Sequence, residues 1–529
     1  MDTKALRQKV LDLAIRGKLV PQDPNDEPAS VLLERIRQQK QQMVKDGKLK
    51  AKDIKNDTII FVGEDNLHYE KFADGSVKCI EDEIPFDLPD GWEWSRLLSI
   101  IEEKPTNGYS PKGVGYITNV RNLTLTATTS GFFKPNEFKY VDVKIAPDSK
   151  YWLKHNDILI QRSNSRELVG TSCIYDDKDA AFIYPDLMMR IHLMSSIDVR
   201  YIDSVLKSTL TREYYIANAT GSAGSMPKIN QAIVANTLIP LPPCAEQKRL
   251  VQYLDEVMNI TSSIETGKKD ILELISKVKS KILDLAIRGQ LVPQDPDDEP
   301  ASVLLERIRA EKEELIRQGK LKRDKKESVI FRGEDNSYYL RSGELVESLE
   351  DWAFEELPDS WSVCCLGELC DYGNCTNVDT ADIADSAWML DLEDIEKDSG
   401  VVLQKVRKAE RNAASTKHRF HKGQVLYSKL RPYLNKVVLA DEDGYCTSEI
   451  LPLEFERNIL PQYARYYLMS PAFLRYANKC SYGVKMPRLG TADGKKAMIS
   501  VPPLEEQKRL VIAIEQAFSQ LASIAENLS

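Results

Sequence analysis

Apolar residues recur in steps of four and three along the middle of the chain, at Leu250, Leu254, Val257, Thr261, Ile264, Lys268, Ile271, Ile275, Val278, Ile282 and Leu285. Such a heptad seam, weakened at Thr261 and at Lys268 beside Gly267, predicts one long helix from Pro243 to Gly289. At ~1.5 Å per residue the helix is on the order of 70 Å long, and a rod with one apolar side needs a partner. Two shorter seams supply it. Leu510, Ile514, Ala517, Leu521, Ile524 and Leu528 follow Pro502-Pro503, and Leu6, Val10 and Leu13 mark a helix over 3–16 stopped by Gly17. Aligned on the central helix, Ser529 falls opposite Lys269 and residue 1 opposite Glu273. The C-terminal helix therefore supplies the first half of a second rod and the N-terminal helix the second half. The two rods are expected to pack antiparallel.

Between the rods the pattern changes to short β-type runs, among them GYITNV, KYVDVKI, DILIQR, TSCIYD and MMRIHLM, with a helix over Arg200–Ala219. Ser30 is placed to cap a helix that ends near Gly47, and residues 48–80 are charged, with a short hairpin around FVGEDNLHY and FADGSVK. The expected organisation is α+β. Residues 1–80 carry the N-terminal helix and a charged helical extension, 81–240 a mixed α/β head, and 241–289 the central coiled-coil helix. A second charged helical extension (290–346), a second head (347–502) and a C-terminal coiled-coil helix (503–529) follow.

The order repeats because the sequence repeats. KVLDLAIRGKLVPQDPNDEPASVLLERIRQQK from Lys9 returns from Lys281 with five of 32 positions changed, and IPLPPCAEQKRLV from Ile239 returns as ISVPPLEEQKRLV from Ile499. FVGEDN and FRGEDN, LPDGW and LPDSW, MPK and MPR are weaker echoes. A nearly duplicated framework carrying diverged heads implies two pseudo-symmetric halves, a closed two-fold arrangement within one chain. It also implies heads that face two different targets.

Bulk properties narrow the class. At 529 residues, 42% hydrophobic and 29% charged, the chain is ordinary for a soluble globular protein. It has no apolar run of membrane-spanning length and no signal-peptide pattern, and its nine scattered cysteines suit reduced thiols in a cytoplasm. A net charge of −9 argues against a non-specific nucleic-acid binder, but not against local basic patches.

Catalytic motifs are missing. There is no phosphate loop, no dinucleotide fingerprint, no nucleophile elbow and no Asp/Asn-Pro-Pro-aromatic motif. Glu246-Gln247-Lys248 and Glu506-Gln507-Lys508 imitate a nuclease E-x-K, yet in the first turn of a helix their expected role is capping and dipole compensation. Cys364, Cys365, Cys370, Cys375, His418 and His421 have no counterpart in the first head, so no metal is expected.

Basic residues give the positive signal. From Lys405 to Lys436 there are ten Lys/Arg, including Lys417, Arg419, Lys422, Lys429 and Arg431, against a single Glu410. In the first head, Arg162, Asn164 and Arg166 follow the strand DILI, at the position where Lys429 and Arg431 follow QVLY. Arginine suits guanine and asparagine suits adenine through paired hydrogen bonds. A second pair of loops, GSAGSMPKIN and SYGVKMPRLG, offers Ser225 and Lys228 in one head and Lys485 and Arg488 in the other. Arg121 completes the DNA-binding set.

On the PP-x-x-EQKRLV helix starts, both LDLAIRG…LVPQDP-x-DEPASVLLERI blocks and the loops before MP-Lys/Arg, the chain resembles the specificity (S) subunit of type I restriction–modification systems. The resemblance spans nearly the whole chain. It implies two target-recognition domains, separated by antiparallel coiled-coil helices, that read a bipartite site on double-stranded DNA. It also implies two methyltransferase (M) subunits, restriction (R) subunits, and no cofactor in this chain. S-adenosylmethionine then belongs to M, and ATP and Mg to R. The segments 18–80 and 290–346 are longer than in compact members and are expected to add M-subunit contact. The competing expectation is a coiled-coil adaptor with two protein-binding heads.

Overall fold

The structure is a computed structural model that describes residues 2–221, 226–320, 328–333, 335, 337–342, 344–349, 357–411 and 415–528. It divides into two units, Met1–Gly267 and Lys268–Ser529. The central helix, Cys244–Ile287, runs unbroken through the division.

In the first unit the N-terminal helix Thr3–Ile15 lies antiparallel on the start of the central helix. Its C-terminal residues Val10, Leu11, Ala14 and Ile15 share a core with Leu250 and Leu254. At its other end Thr3 donates to Glu265 (2.6 Å), while Arg7 reaches Thr261 (3.1 Å), Ser262 (3.0 Å) and Glu265 (2.9 Å). Thr261, the weak place in the seam, is buried because its hydroxyl receives Arg7 and donates to the Met258 carbonyl. The second unit repeats the arrangement with the C-terminal helix Leu504–Leu528. Ile287 packs with Leu510 and Ile514, and farther along Lys279 lies 5.4 Å from the Phe518 ring. Each unit thus pairs half of the central helix with one terminal helix.

The duplicated motifs stitch helix starts to heads. Glu246 sits in the first turn as expected, but its carboxylate is buried and accepts from Trp92 Nε1 (2.9 Å) and Gln22 Nε2 (3.1 Å). In the second unit Glu506 accepts from Trp361 (2.9 Å) and Gln294 (2.7 Å). Arg249 grips Asp26 and Arg509 grips Asp298 through paired hydrogen bonds. Gln247 and Gln507 accept from the Asp198 and Leu460 backbone N–H groups. Gln22 with Asp26, and Gln294 with Asp298, lie in the LVPQDP-x-DEP blocks, and the two tryptophans in LPD-x-W, so three separate echoes make one lock. The carboxylate of each E-x-K likeness is thus enclosed by structural donors.

LDLAIRG must end in glycine at this place. Gly17 (φ +64°) and Gly289 (φ +70°) are left-handed, and a Cβ would lie 2.3 Å from Pro89 Cγ or 2.5 Å from Pro358 Cγ. The next helix, Ala29–Lys45, starts one residue before Ser30, with Pro28 rather than Ser30 at its cap and the Ala29 N–H on the Gly91 carbonyl.

The two extensions are less helical than expected. After Ala29–Lys45 comes an antiparallel meander, Ile59–Val62, His68–Lys71 and Val77–Cys79. After Ala301–Arg317 comes its copy, Ser328–Arg332, Tyr338–Ser342 and Leu345–Ser348. In the first meander GEDN (63–66) is the hairpin turn, and in the second the Gly333 N–H donates to the Ser337 carbonyl (2.8 Å) as Gly63 does to Leu67 (2.8 Å). Tyr69 reaches Asp65 across the turn (2.7 Å), and Tyr339 reaches Asp335 (2.8 Å).

In the first head, one sheet orders Ser172–Ile174, Ile158–Gln161, Met188–Ile191 and Thr106–Asn107. A second orders Gly113–Val114, Phe138–Val141 and Val120–Leu123, so GYITNV enters a strand only at its last residue. The second head has a five-stranded sheet, from Asn377–Val378 through Lys417–Phe420, Gly444–Thr447 and Trp388–Leu390 to Val406–Arg407. A three-stranded one runs Val437–Leu439, Val425–Ser428, Ile450–Leu453. The single helix expected over Arg200–Ala219 is two, Val199–Lys207 and Thr209–Asn218, because Ser208 is extended (ψ 157°) and caps the second. Ser470 does the same between Pro461–Met469 and Pro471–Lys479. No helix among the described residues is long and apolar enough to cross a membrane.

Candidate nucleic-acid interface

In each head the two loops singled out from the sequence are joined into one junction. Beyond Ile158–Gln161, the Arg162 N–H donates to the Leu187 carbonyl (2.8 Å), and the Arg162 carbonyl accepts from Ile229 (3.0 Å). Ser163 and Lys228 form a β-bridge, as do Thr220 and Lys228. Beyond Val425–Ser428, Lys429 donates to Glu449 (3.0 Å) and accepts from Leu489 (3.0 Å). Leu430 and Tyr482 both bridge Arg488. The hydrogen-bond plan is the same although the heads share little sequence, so Arg162 and Lys429 occupy equivalent positions at the end of a buried strand.

Their neighbours differ. In the first junction Arg162 is half-buried with Nη1 near the Asp186 carbonyl (3.4 Å), and Arg166 and Lys228 are exposed. Asn164 is partly committed inward, its amide donating to Gln161 (2.7 Å). Ser225 lies outside the described residues. In the second junction Lys485 is exposed, Lys429 is half-buried, and Arg488 is held bidentate by Glu449 (2.8 and 3.1 Å), which neutralises it. Arg431 adopts a left-handed backbone (φ 49°, ψ 64°), costing about 1 kcal/mol. Its N–H on the Pro487 carbonyl (2.7 Å) fixes it there.

The basic run needs correction. Chain folding brings carboxylates onto half of it: Lys405 meets Asp441 (2.7 Å), Arg407 meets Glu442, and Lys408 meets Asp385 (3.3 Å). Arg411 holds the fully buried Asp394 through two hydrogen bonds (2.6 and 2.7 Å), which keep that carboxyl below its usual range against the opposing effect of burial. Lys417 is buried beside Asp391 (3.5 Å) and so is not available as a phosphate contact. Lys436 donates to the Leu392 carbonyl (2.6 Å). Arg419 and Lys422 are exposed, on the five-stranded sheet and its turn rather than in the junction. Arg121 also lies outside the first junction, its guanidinium 4.2 Å from the Phe182 ring centroid. Arg411→Ala is therefore expected to lower stability by roughly 2 kcal/mol, by removing two charge-assisted hydrogen bonds from a buried carboxylate. Thermal melts should move while the salt dependence of DNA binding keeps its slope.

One positioning residue had no signal in the sequence. Arg212, on the helix Thr209–Asn218, holds the 163–169 loop by donating to the Val169 (2.6 Å) and Glu167 (2.8 Å) carbonyls. Cys364, Cys365 and Cys370 are buried thiols, with burial pushing Cys365 up to about 12. Among the described residues no group of three or more potential ligands is placed to hold a metal.

The chain is thus a duplicated α+β protein, with two diverged heads on helical connectors and one cationic junction per head. The family model for the type I restriction modification DNA specificity domain matches residues 89–274 and 358–528, and the chain belongs to that family. It is 29% identical over 421 residues to the EcoAI specificity subunit of Escherichia coli, covering 70% of this chain and 63% of that one. To the E. coli EcoEI specificity subunit it is 33% identical over 289 residues, covering 54% and 45%. The matches thus span less than two thirds of those relatives. Among solved structures, a chain from a type I R-M system studied for its complex assembly and conformational transition shares the fold. Its TM-score is 0.53 at 17% identity, over 84% of this chain and 94% of that chain.

Proposed function

We propose that the chain is the DNA sequence-recognition subunit of a type I restriction–modification complex, acting in the cytoplasm and without chemistry of its own. Each junction reads one half of a bipartite site on double-stranded DNA. Two methyltransferase subunits, carrying S-adenosylmethionine, methylate adenine N6, and restriction subunits, using ATP and Mg, cleave unmodified DNA. The repeat helices and meanders add contact to the methyltransferase subunits. The observation that carries the proposal is the matched pair of junctions, in which diverged side chains stand on one hydrogen-bond plan. A framework that keeps position constant while letting residues vary is what reading two unlike half-sites requires.

Methylome sequencing of cells expressing this chain with its neighbouring methyltransferase tests the proposal. A new N6-methyladenine motif of two short halves around an unspecified spacer is expected, and exchanging residues 81–240 should rewrite one half alone. A complex that assembles without creating any motif would favour an adaptor whose heads bind proteins.

A further inference from the structure

The second junction carries a feature that base-edge hydrogen bonding leaves unused. Tyr482 and Arg488 exchange backbone hydrogen bonds (3.1 and 2.9 Å) and close a hairpin with Gly483–Pro487 between them. Gly483 (φ +98°) makes the turn. Five consecutive residues, 482–486, are exposed, and three of them are large and apolar: Tyr482 at 63%, Val484 at 102% and Met486 at 45% of full exposure. The tip is not loosely mounted. Its base is tied to the strand-end loop by the Leu430–Arg488 bridge, by Arg431 N–H on Pro487 (2.7 Å) and by Leu489 N–H on Lys429 (3.0 Å). Lys485 stands exposed among the apolar residues, and Lys429 and Arg431 lie at the base, while Glu449 is consumed by Arg488.

A wholly exposed apolar side chain on a narrow, anchored hairpin gains nothing from water, whereas it gains if it is inserted between stacked bases. The surrounding cations would hold the phosphates on either side. The first head echoes the design at one place: Met226, at the position of Met486, is 52% exposed directly before Pro227-Lys228.

We propose that the Tyr482–Met486 tip is a wedge, with Val484 at its point, that enters between two adjacent base pairs of one half-site and unstacks them. Sequence preference then includes the ease of opening that step, a contribution made without any hydrogen bond to a base. The inference rests on the recognition role proposed above.

The test uses the full chain in complex with its methyltransferase, on duplexes carrying the motif from methylome sequencing. 2-Aminopurine replaces each base of the two half-sites in turn. Binding should raise its fluorescence several-fold at one step. Val484→Ser should abolish that rise and weaken specific binding about tenfold with the salt slope unchanged. Lys485→Ala should keep the rise and lower the salt slope by about 1, as for a phosphate contact. Specific binding with no fluorescence change at any step, or a rise that Val484→Ser leaves intact, would overturn the wedge and leave the recognition role standing. Loss of the methyltransferase from the Val484→Ser complex on size-exclusion chromatography would also overturn it, by assigning the tip to a protein partner. Absence of any sequence-specific binding by the wild-type complex would instead sink the recognition role itself.

Discussion

Trp92→Ala should lower the stability of the first unit by roughly 4 kcal/mol and leave the second unit intact. The loss of a buried indole accounts for ~3–5 kcal/mol by itself. Trp92 is 5% exposed and lies edge-on to Tyr201 at 6.4 Å. The substitution also removes a donor from Glu246, whose carboxylate keeps only Gln22 within reach. At roughly 2–4 °C per kcal/mol for units of this size, the melting of the first unit should fall by about 10 °C. Trp361 and Glu506 form an independent copy in the second unit. A calorimetric trace should therefore gain a separate early transition. A uniform downward shift of one transition would show that the two locks do not act locally.

The same lock has a pH signature. Burial raises the Glu246 carboxyl above the ordinary glutamate range, against the opposing pull of Gln22, Trp92 and Arg249. A raised folded value means that the protonated form is favoured on folding. Its contribution is complete below about 4.5 and is lost as pH climbs through the raised value. Glu506 behaves alike. Glu246→Gln should flatten the fall of first-unit stability with pH over that window, and it should cost less than Trp92→Ala because one oxygen still accepts.

The repeat, the helices of the three seams and the strand-bearing heads were legible because they depend on local order along the chain, although Leu6, Ile264, Ile271, Val278 and Ile524 of those seams are exposed rather than packed. The pairing of each terminal helix with one half of the central helix was legible too, from the match of the C-terminal helix to its first half and of the N-terminal helix to its second. What pairwise folding decides was not legible. Glu246 looked like a dipole cap because Trp92 and Gln22 are more than 150 residues away. Residues 405–436 looked uniformly basic because Asp391, Asp394, Asp441 and Glu442 lie outside the run and fold onto it. The meanders were half-seen, since strands of only three to five residues are too short to show a clear period. Each junction loop was visible by its echo, but the bridges that join Ser163 to Lys228 and Leu430 to Arg488 link segments about 60 residues apart.

Those bridges give the second large effect. Arg162→Ala should relax preference at one position of one half-site, with a roughly tenfold to hundredfold loss of discrimination there, about 1–3 kcal/mol. Lys429→Ala should do the same in the other half-site and leave the first untouched. The expectation follows from equivalent mounting: both residues follow a buried strand and are clamped on each side by backbone hydrogen bonds, so truncation removes a side chain without moving the loop. Arg488→Ala is a different case. Its charge is already spent on Glu449, so truncation should free a carboxylate beside Lys429 and weaken binding through repulsion rather than lost contact. Motif logos from methylation by each variant, with binding measured over a salt series, separate these outcomes. A change confined to one half marks a base reader. Uniform weakening with a shallower salt slope marks a phosphate contact, and unchanged logos and affinities for both Arg162→Ala and Lys429→Ala would remove the junctions from the recognition surface.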